Sequence, residues 1–343
     1  MKAAYILEHG GVDKIVVGEL PKPKPKNGEV LIKVKVSSIN HLDVWVRKGW
    51  AGLKVLKPHV LGGDASGVVE ELGAESHSFN VGDEVIIHPG LSCGECESCI
   101  GGWESLCPEY TILGEQVSGS HAEWIVIPER NLFRKPKSLS FSEAAALPLV
   151  FTTAWQMIVV RAKARSGDKV LIHGAGSGVS VMAIQIAKHL GLEVAVTSTS
   201  DEKLEKAKAL GASIGFNSDK LDFSREIKKI WAKGPDIILD HIGEAFWEKN
   251  IKCLKSGGVL VTCGATSGST GKTDLKHLFF RQLSLLGSTM GNKKDFINAI
   301  HLCELGKIKP VVDREFYLNE VAEAHRYIED KRQFGKVLIK VSE

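Results

Sequence analysis

The apolar positions of this chain change their rhythm near residue 169. Before that point they fall in short β-prone runs, at Ala3–Leu7, Ile15–Glu19, Glu29–Val36, Gly67–Leu72, Glu84–His88 and Ala122–Pro128. Pro21–Gly28 separates two runs as an extended linker and turn, and Gly82-Asp83 is a hairpin turn. A helix is expected over Ser140–Ala146, where Ser140 and Glu143 form a capping box, and another over Phe151–Ala164. From Lys169 strands and helices alternate. Strands are expected at Val170–His173, Glu193–Thr197, Ser213–Phe216, Asp236–Asp240, Val259–Cys263 and Ser284–Gly287. Helices are expected at Asp201–Leu210, Asp222–Trp231, Ala245–Leu254 and Asp274–Arg281. Six strands joined by helical crossovers predict an α/β fold with a doubly wound parallel sheet. The closing pieces Glu315–Tyr317, Glu320–Ile328 and Lys336–Val341 look like the first part again. The parallel-sheet domain, residues 151–289, is therefore read as inserted into a β-rich domain made of 1–150 and 290–343.

The first element of the inserted domain carries chemistry. After the strand at Val170–His173 come Gly174, Gly176 and Gly178, and then Val181, Ile184, Ala187 and Leu190 at helical spacing before Gly191. Strand, glycine turn and helix N-terminus are what a dinucleotide pyrophosphate requires, because the glycines admit the phosphates and the helix offers free N–H groups. Ser180 takes the place of the last glycine and is small enough for close helix–sheet packing. An NAD site carries an acidic residue about 20 positions past the turn. Here the second strand ends in Ser198-Thr199-Ser200, with Lys203 nearby, a set suited to a 2′-phosphate. Asp201 reads as the first turn of the following helix, where an acid favours the dipole. The sequence thus favours NADP(H) over NAD(H).

Composition narrows the class. The 343 residues are 43% hydrophobic and 25% charged, with a formal charge of +3, which fits a globular protein of about two domains. No basic stripe interleaved with aromatics points to nucleic acid. No apolar run is long enough for a membrane span and no signal-peptide core is visible. The chain is expected to be cytoplasmic. Four of its seven cysteines cluster as C-x2-C-x2-C-x7-C at Cys93, Cys96, Cys99 and Cys107. Four thiolates can close one tetrahedral zinc and leave no position open, so a structural zinc lobe is expected over about 91–110. Cys253, Cys263 and Cys303 lie among apolar neighbours.

The cysteine lobe, Gly174–Val179 (GAGSGV), Val81–Val85 (VGDEV) and the terminal Phe334–Val341 (FGKVLIKV) together resemble the medium-chain dehydrogenase/reductase family, the zinc-type alcohol dehydrogenase superfamily. The resemblance covers essentially the whole chain and implies a GroES-like β domain with an inserted Rossmann domain. It also exposes a departure. Family members with catalytic zinc carry a cysteine where this chain has Asn40, a histidine where it has Gly63, and a third ligand where it has Leu149. What remains, Asn40-x-x-Asp43 and Gly62-x-Asp64, looks like the quinone oxidoreductase branch, which works without catalytic metal. Asn40, His41 and Asp64 as an irregular metal set would suit magnesium better than zinc.

By the same resemblance, His41 faces the cofactor pyrophosphate, Thr153 packs near the nicotinamide, and Asp43 and Asp64 neighbour the cleft. Asn217, His241-Ile242-Gly243, Cys263-Gly264-Ala265 and Ser288-Thr289-Met290 lie along the cofactor at strand ends, together with Ser177, Gly178 and Val179 of the turn. Loops after parallel strands are expected there on topological grounds as well. The expected activity is hydride transfer from NADPH to a quinone, enone or enoyl thioester, with Asn40 as hydrogen-bond donor. The rival readings are an alcohol or aldehyde dehydrogenase with an irregular metal site and a cofactor-binding protein without turnover. The resemblance further implies a small-molecule substrate and a homo-oligomer, either dimer or tetramer.

Overall fold

The computed structural model describes residues 1–342, and these divide into two units: Met1–Val150 with the segment from Gly291 onward, and Phe151–Met290. The second crossing falls one residue later than the sequence places it.

The first unit is organised by its longest strand, Glu29–Ile39. Asp64–Leu72, Trp124–Pro128 and Lys336–Lys340 each pair antiparallel with it. Leu132–Arg134 and Glu84–Ile87 extend the sheet beyond Asp64–Leu72, and Val312–Tyr317 pairs parallel with Lys336–Lys340 at the other edge. Alternate residues of these strands turn inward, and Val30, Ile32, Val34, Ala65, Val69, Val85 and Ile127 form one core. Lys2–Ile6, Ile15–Glu19 and His59–Val60 make a separate three-stranded sheet. Register decides what lies where. Ser38 stands opposite Asp64 on one side and opposite Leu338 on the other. The end of the longest strand and the starts of two neighbours therefore converge on Asn40, Asp64 and Lys336.

Two helices of eight or more residues in this unit are absent from the sequence expectation. His41–Lys48 is short and holds three residues of low helix propensity, Val44, Trp45 and Val46. It forms because Asn40 and Asp43 close a capping box and because Val44 packs with Ile39, Val321 and Val337. Lys293–Glu304 buries Phe296, Ala299, Leu302 and Cys303 along one stripe. The helix expected at Phe151–Ala164 begins earlier, at Pro148, and gives way after Trp155 to a wider turn over Gln156–Arg161. Proline at a first helical position is the signal that places this start.

The second unit is a six-stranded parallel sheet flanked by helices. Its strands lie in the order Ile214–Asn217, Glu193–Ser198, Lys169–Ile172, Ile237–Asp240, Val259–Thr262, Ser284–Gly287. Counted along the chain within this unit, that order is 3-2-1-4-5-6, the Rossmann arrangement. Leu171, Ala195, Ile238 and Leu260 are fully buried at its centre, as expected for a sheet covered on both faces. The helix Asp201–Leu210 starts on the Ser200 cap and stops at Gly211, whose φ is 127°. No helix among the described residues is long and apolar enough to cross a membrane.

Candidate active site, cofactor turn and metal lobe

The glycine turn of the Rossmann unit fits a pyrophosphate. Gly174 has a φ of 63°, and a side chain there would collide with His241, whose Cε1 would lie 2.8 Å from its Cβ. Ser177 caps the 12-residue helix Gly178–His189, its Oγ accepting the Ser180 N–H. Ser180, in the last-glycine position, is fully buried, and its hydroxyl donates to the His173 carbonyl at 2.6 Å. The extra oxygen is thus satisfied locally, and helix and strand approach as a glycine would allow. His241 closes the turn from the fourth strand, with Nε2 3.0 Å from the His173 carbonyl and 3.2 Å from Ser177 Oγ. Just before it, the buried Asp240 carboxylate accepts the Ile242 and Gly243 N–H groups. Burial raises its pKa to about 6.

At the end of the second strand Ser198 is buried, and its Oγ accepts the Ser200 N–H. Asp201, three residues further on, accepts a hydrogen bond from the Asn217 amide at 2.7 Å and pairs with Lys220. Asn217, expected along the cofactor, has one amide hydrogen engaged by that carboxylate. Ser267 Oγ donates to the Ile242 carbonyl and Thr266 Oγ1 to that of His241, so the loops carrying His241–Gly243 and Cys263–Ala265 are tied together. Cys263 is half-buried, and burial pushes its thiol up to about 12. Ser288 is anchored by its N–H to the Thr262 carbonyl, Thr289 is exposed, and Met290 is buried with a φ of 51°. Thr153 is buried.

In the β-rich unit the candidate catalytic residues form one buried network. Asp64 is 0% exposed. Its Oδ1 accepts the Leu149 N–H at 2.8 Å, and its Oδ2 accepts Ser38 Oγ at 3.0 Å, Asn40 Nδ2 at 2.8 Å and Lys336 Nζ at 3.1 Å. Lys336 also donates to Asn40 Oδ1 at 2.5 Å. Asp43 braces the corner by accepting the Asn40 and Gly62 N–H groups, and burial lifts its carboxyl to about 6. His41 is half-buried, with its ring edge-on to Trp45, and burial lowers its pKa. Lys336 is the residue that sequence reasoning missed. Its signal was an ammonium at the head of the apolar run Val337–Ile339.

The three positions where the family would place catalytic zinc ligands meet in space. A Cβ built on Gly63 would lie 3.5 Å from both Asn40 Nδ2 and Leu149 Cδ1. The side chains there do not fit a zinc ion, since an amide, a hydrogen and an isobutyl group replace thiolate and imidazole. The adjacent Lys336 ammonium would repel a dication as well.

The cysteine lobe does fit one. The Sγ atoms of Cys93, Cys96, Cys99 and Cys107 all lie within 4.8 Å of one another. Cys93 stands 3.8 Å from Cys99 and 3.5 Å from Cys107, near the roughly 3.8 Å edge of a zinc–thiolate tetrahedron. Hydrogen bonds from the Glu95 and Cys96 backbone lower the Cys93 thiol to about 7, while burial and the neighbouring thiols push Cys96 up to about 12.

A Rossmann sheet inserted in a β-rich unit that bears a four-cysteine lobe defines a medium-chain dehydrogenase/reductase. Comparison with known proteins agrees. Residues 26–137 match the alcohol dehydrogenase GroES-like domain family, and residues 178–304 match the zinc-binding dehydrogenase family. The chain is 32% identical to acryloyl-coenzyme A reductase of Sulfurisphaera tokodaii, over 94% of this chain and 95% of that protein. It is 28% identical to human quinone oxidoreductase, over 96% and 94%. A crystal structure of an NAD-dependent alcohol dehydrogenase aligns over 100% of both chains at 48% identity, with a TM-score of 0.96. The chain belongs to the medium-chain dehydrogenase/reductase superfamily and is an oxidoreductase.

Proposed function

We propose that the protein reduces conjugated carbonyl compounds (quinones, enones or enoyl thioesters) with NADPH and without catalytic zinc. The observation that carries this reading is the meeting of Asn40, Gly63 and Leu149 at one point with no metal-ligand set among them. Without a Lewis acid an unactivated alcohol is a poor hydride donor, because nothing lowers its pKa. A conjugated acceptor needs less, since hydride addition at the far carbon moves the π electrons onto the carbonyl oxygen. Hydrogen-bond donors can hold that oxyanion, and a proton from solvent at the adjacent carbon completes the reduction.

Bound at the glycine turn, a nicotinamide dinucleotide supplies the hydride. The turn at Gly174–Gly178 and the helix capped by Ser177 would receive its pyrophosphate, and Ser198, Thr199, Ser200 and Lys203 its 2′-phosphate. Asn40 holds the developing oxyanion through the Nδ2 hydrogen that Asp64 does not use. The lobe zinc holds its loop together and takes no part in the reaction. Exposed Leu275, Phe279 and Phe280 beside the edge strand Ser284–Gly287 support association with a second copy.

NADPH oxidation with a panel of quinones, enones and simple aldehydes tests the reading, with and without chelator. Turnover of conjugated acceptors that survives chelation is expected. Ser198→Asp should reverse the preference for NADPH over NADH, by repelling a 2′-phosphate while accepting the ribose hydroxyls. Equal affinities in the parent protein would refute the cofactor assignment. The 48% identical alcohol dehydrogenase favours a second reading, NAD-dependent alcohol oxidation. Chelator-sensitive oxidation of alcohols with NAD, and no activity on any conjugated acceptor, would establish it.

A further inference from the structure

The reduction just described uses Asn40 and leaves the charged pair beneath it without a role. Lys336 is 4% exposed and Asp64 0%. The ammonium has three acceptors within reach, the Ile39 carbonyl at 3.1 Å, Asn40 Oδ1 at 2.5 Å and Asp64 Oδ2 at 3.1 Å. A buried ion pair is often no more stabilising than well-packed apolar side chains of the same volume. Stability alone therefore does not account for it.

The pair does determine one thing, the orientation of an amide. Asn40 lies between opposite charges, its carbonyl toward the ammonium and its NH2 toward the carboxylate. Turning the amide over would set N–H against ammonium and carbonyl against carboxylate, and both contacts repel. In a site this dry the two repulsions are large compared with thermal energy. The amide is thus locked with Nδ2 bordering the space that Gly63 leaves empty, 3.5 Å from where a Cβ would stand.

We propose that Lys336 is a positioning residue. Together with Asp64 it fixes the Asn40 amide so that the unshared Nδ2 hydrogen is presented to the substrate's carbonyl oxygen. The proposal rests on the reduction of a conjugated acceptor described above. Lys336→Met alone leaves a buried carboxylate without its partner and can fail to fold. The decisive protein is therefore the double variant Lys336→Met/Asp64→Asn, which buries no charge. It should bind NADPH and the acceptor with Kd and KM within about threefold of the parent, while kcat falls at least about tenfold. In its crystal structure the Asn40 side chain should leave its position or divide between two. A folded double variant with parental kcat, or with Asn40 unmoved, would overturn the proposal. Failure of the functional reading looks different: the parent itself then reduces no conjugated acceptor, and the Asn40 position in the double variant still decides the positioning role.

Discussion

Gly63 stands where the family would place a histidine, and the space it leaves can be filled without strain. A methyl group there would sit 3.4 Å from the Leu113 carbonyl and 3.5 Å from Asn40 Nδ2 and Leu149 Cδ1, all ordinary contacts. Gly63→Ala should therefore fold normally, within about 1 kcal/mol of the parent in a thermal melt. It should also narrow the approach to the Asn40 amide. Steady-state kinetics should show kcat/KM for a conjugated acceptor reduced about tenfold, equivalent to about 1.4 kcal/mol of transition-state stabilisation, with cofactor affinity unchanged. Full kcat/KM in this variant would place the acceptor elsewhere. At this scale the sequence carried Asn40, Gly63, Asp64 and Leu149, because each stands in a motif whose usual occupant is known. It could not carry Lys336, because the partners of that ammonium lie at the ends of two other strands and only register brings them within 3.1 Å.

Among elements, the strands and crossover helices of the Rossmann unit were legible because each has its own apolar period and its own stop. The helix Asp201–Leu210 has both a serine cap and a glycine stop, and its bounds agree residue for residue. His41–Lys48 was not legible, since tertiary packing overrides a poor local propensity there. The cysteine lobe is the opposite case, an element with almost no regular structure whose sequence spacing was sufficient. Its helices are only the four-residue Glu97–Ile100 and the three-residue turn Glu104–Leu106. A loop with so little regular structure would depend on a bound metal for its shape. Metal analysis should find one zinc per chain, and Cys99→Ser should lose it and lower the melting temperature by about 2–4 °C for each kcal/mol of stability removed. NADPH titration should be nearly unaffected, because the glycine turn and Ser198–Lys203 lie in Phe151–Met290, which contains none of the four cysteines. A zinc content of two, or retention of the metal in Cys99→Ser, would contradict the four-thiolate assignment.

For the molecule as a whole, buried titratable groups outside the lobe set the response to acid. Burial lowers His88 to about 4 and both His121 and His173 to about 3, and it holds His325 well below the ordinary range. In the unfolded chain these rings take up protons near pH 6.5, so below that pH the unfolded state binds protons that the native state refuses. Their contribution to stability is therefore lost as pH falls. Asp43 and Asp240 act in the opposite direction. Burial raises both to about 6 from 3.8, so the native state binds their protons first and gains stability between those values. By pH 4 His88, His121 and His173 each cost roughly 3 kcal/mol, His325 acts in the same direction, and each aspartate returns at most roughly as much. Four rings outweigh two carboxyls. The melting temperature should therefore be highest near neutrality and fall steadily from pH 6.5 to 4.5. Calorimetry checks this on protein whose zinc content is verified at each pH, because protonation of the lobe thiolates acts in the same direction. A melting temperature that holds or rises between pH 7 and 5 would mean that the two aspartates dominate, or that the rings are charged in the folded protein.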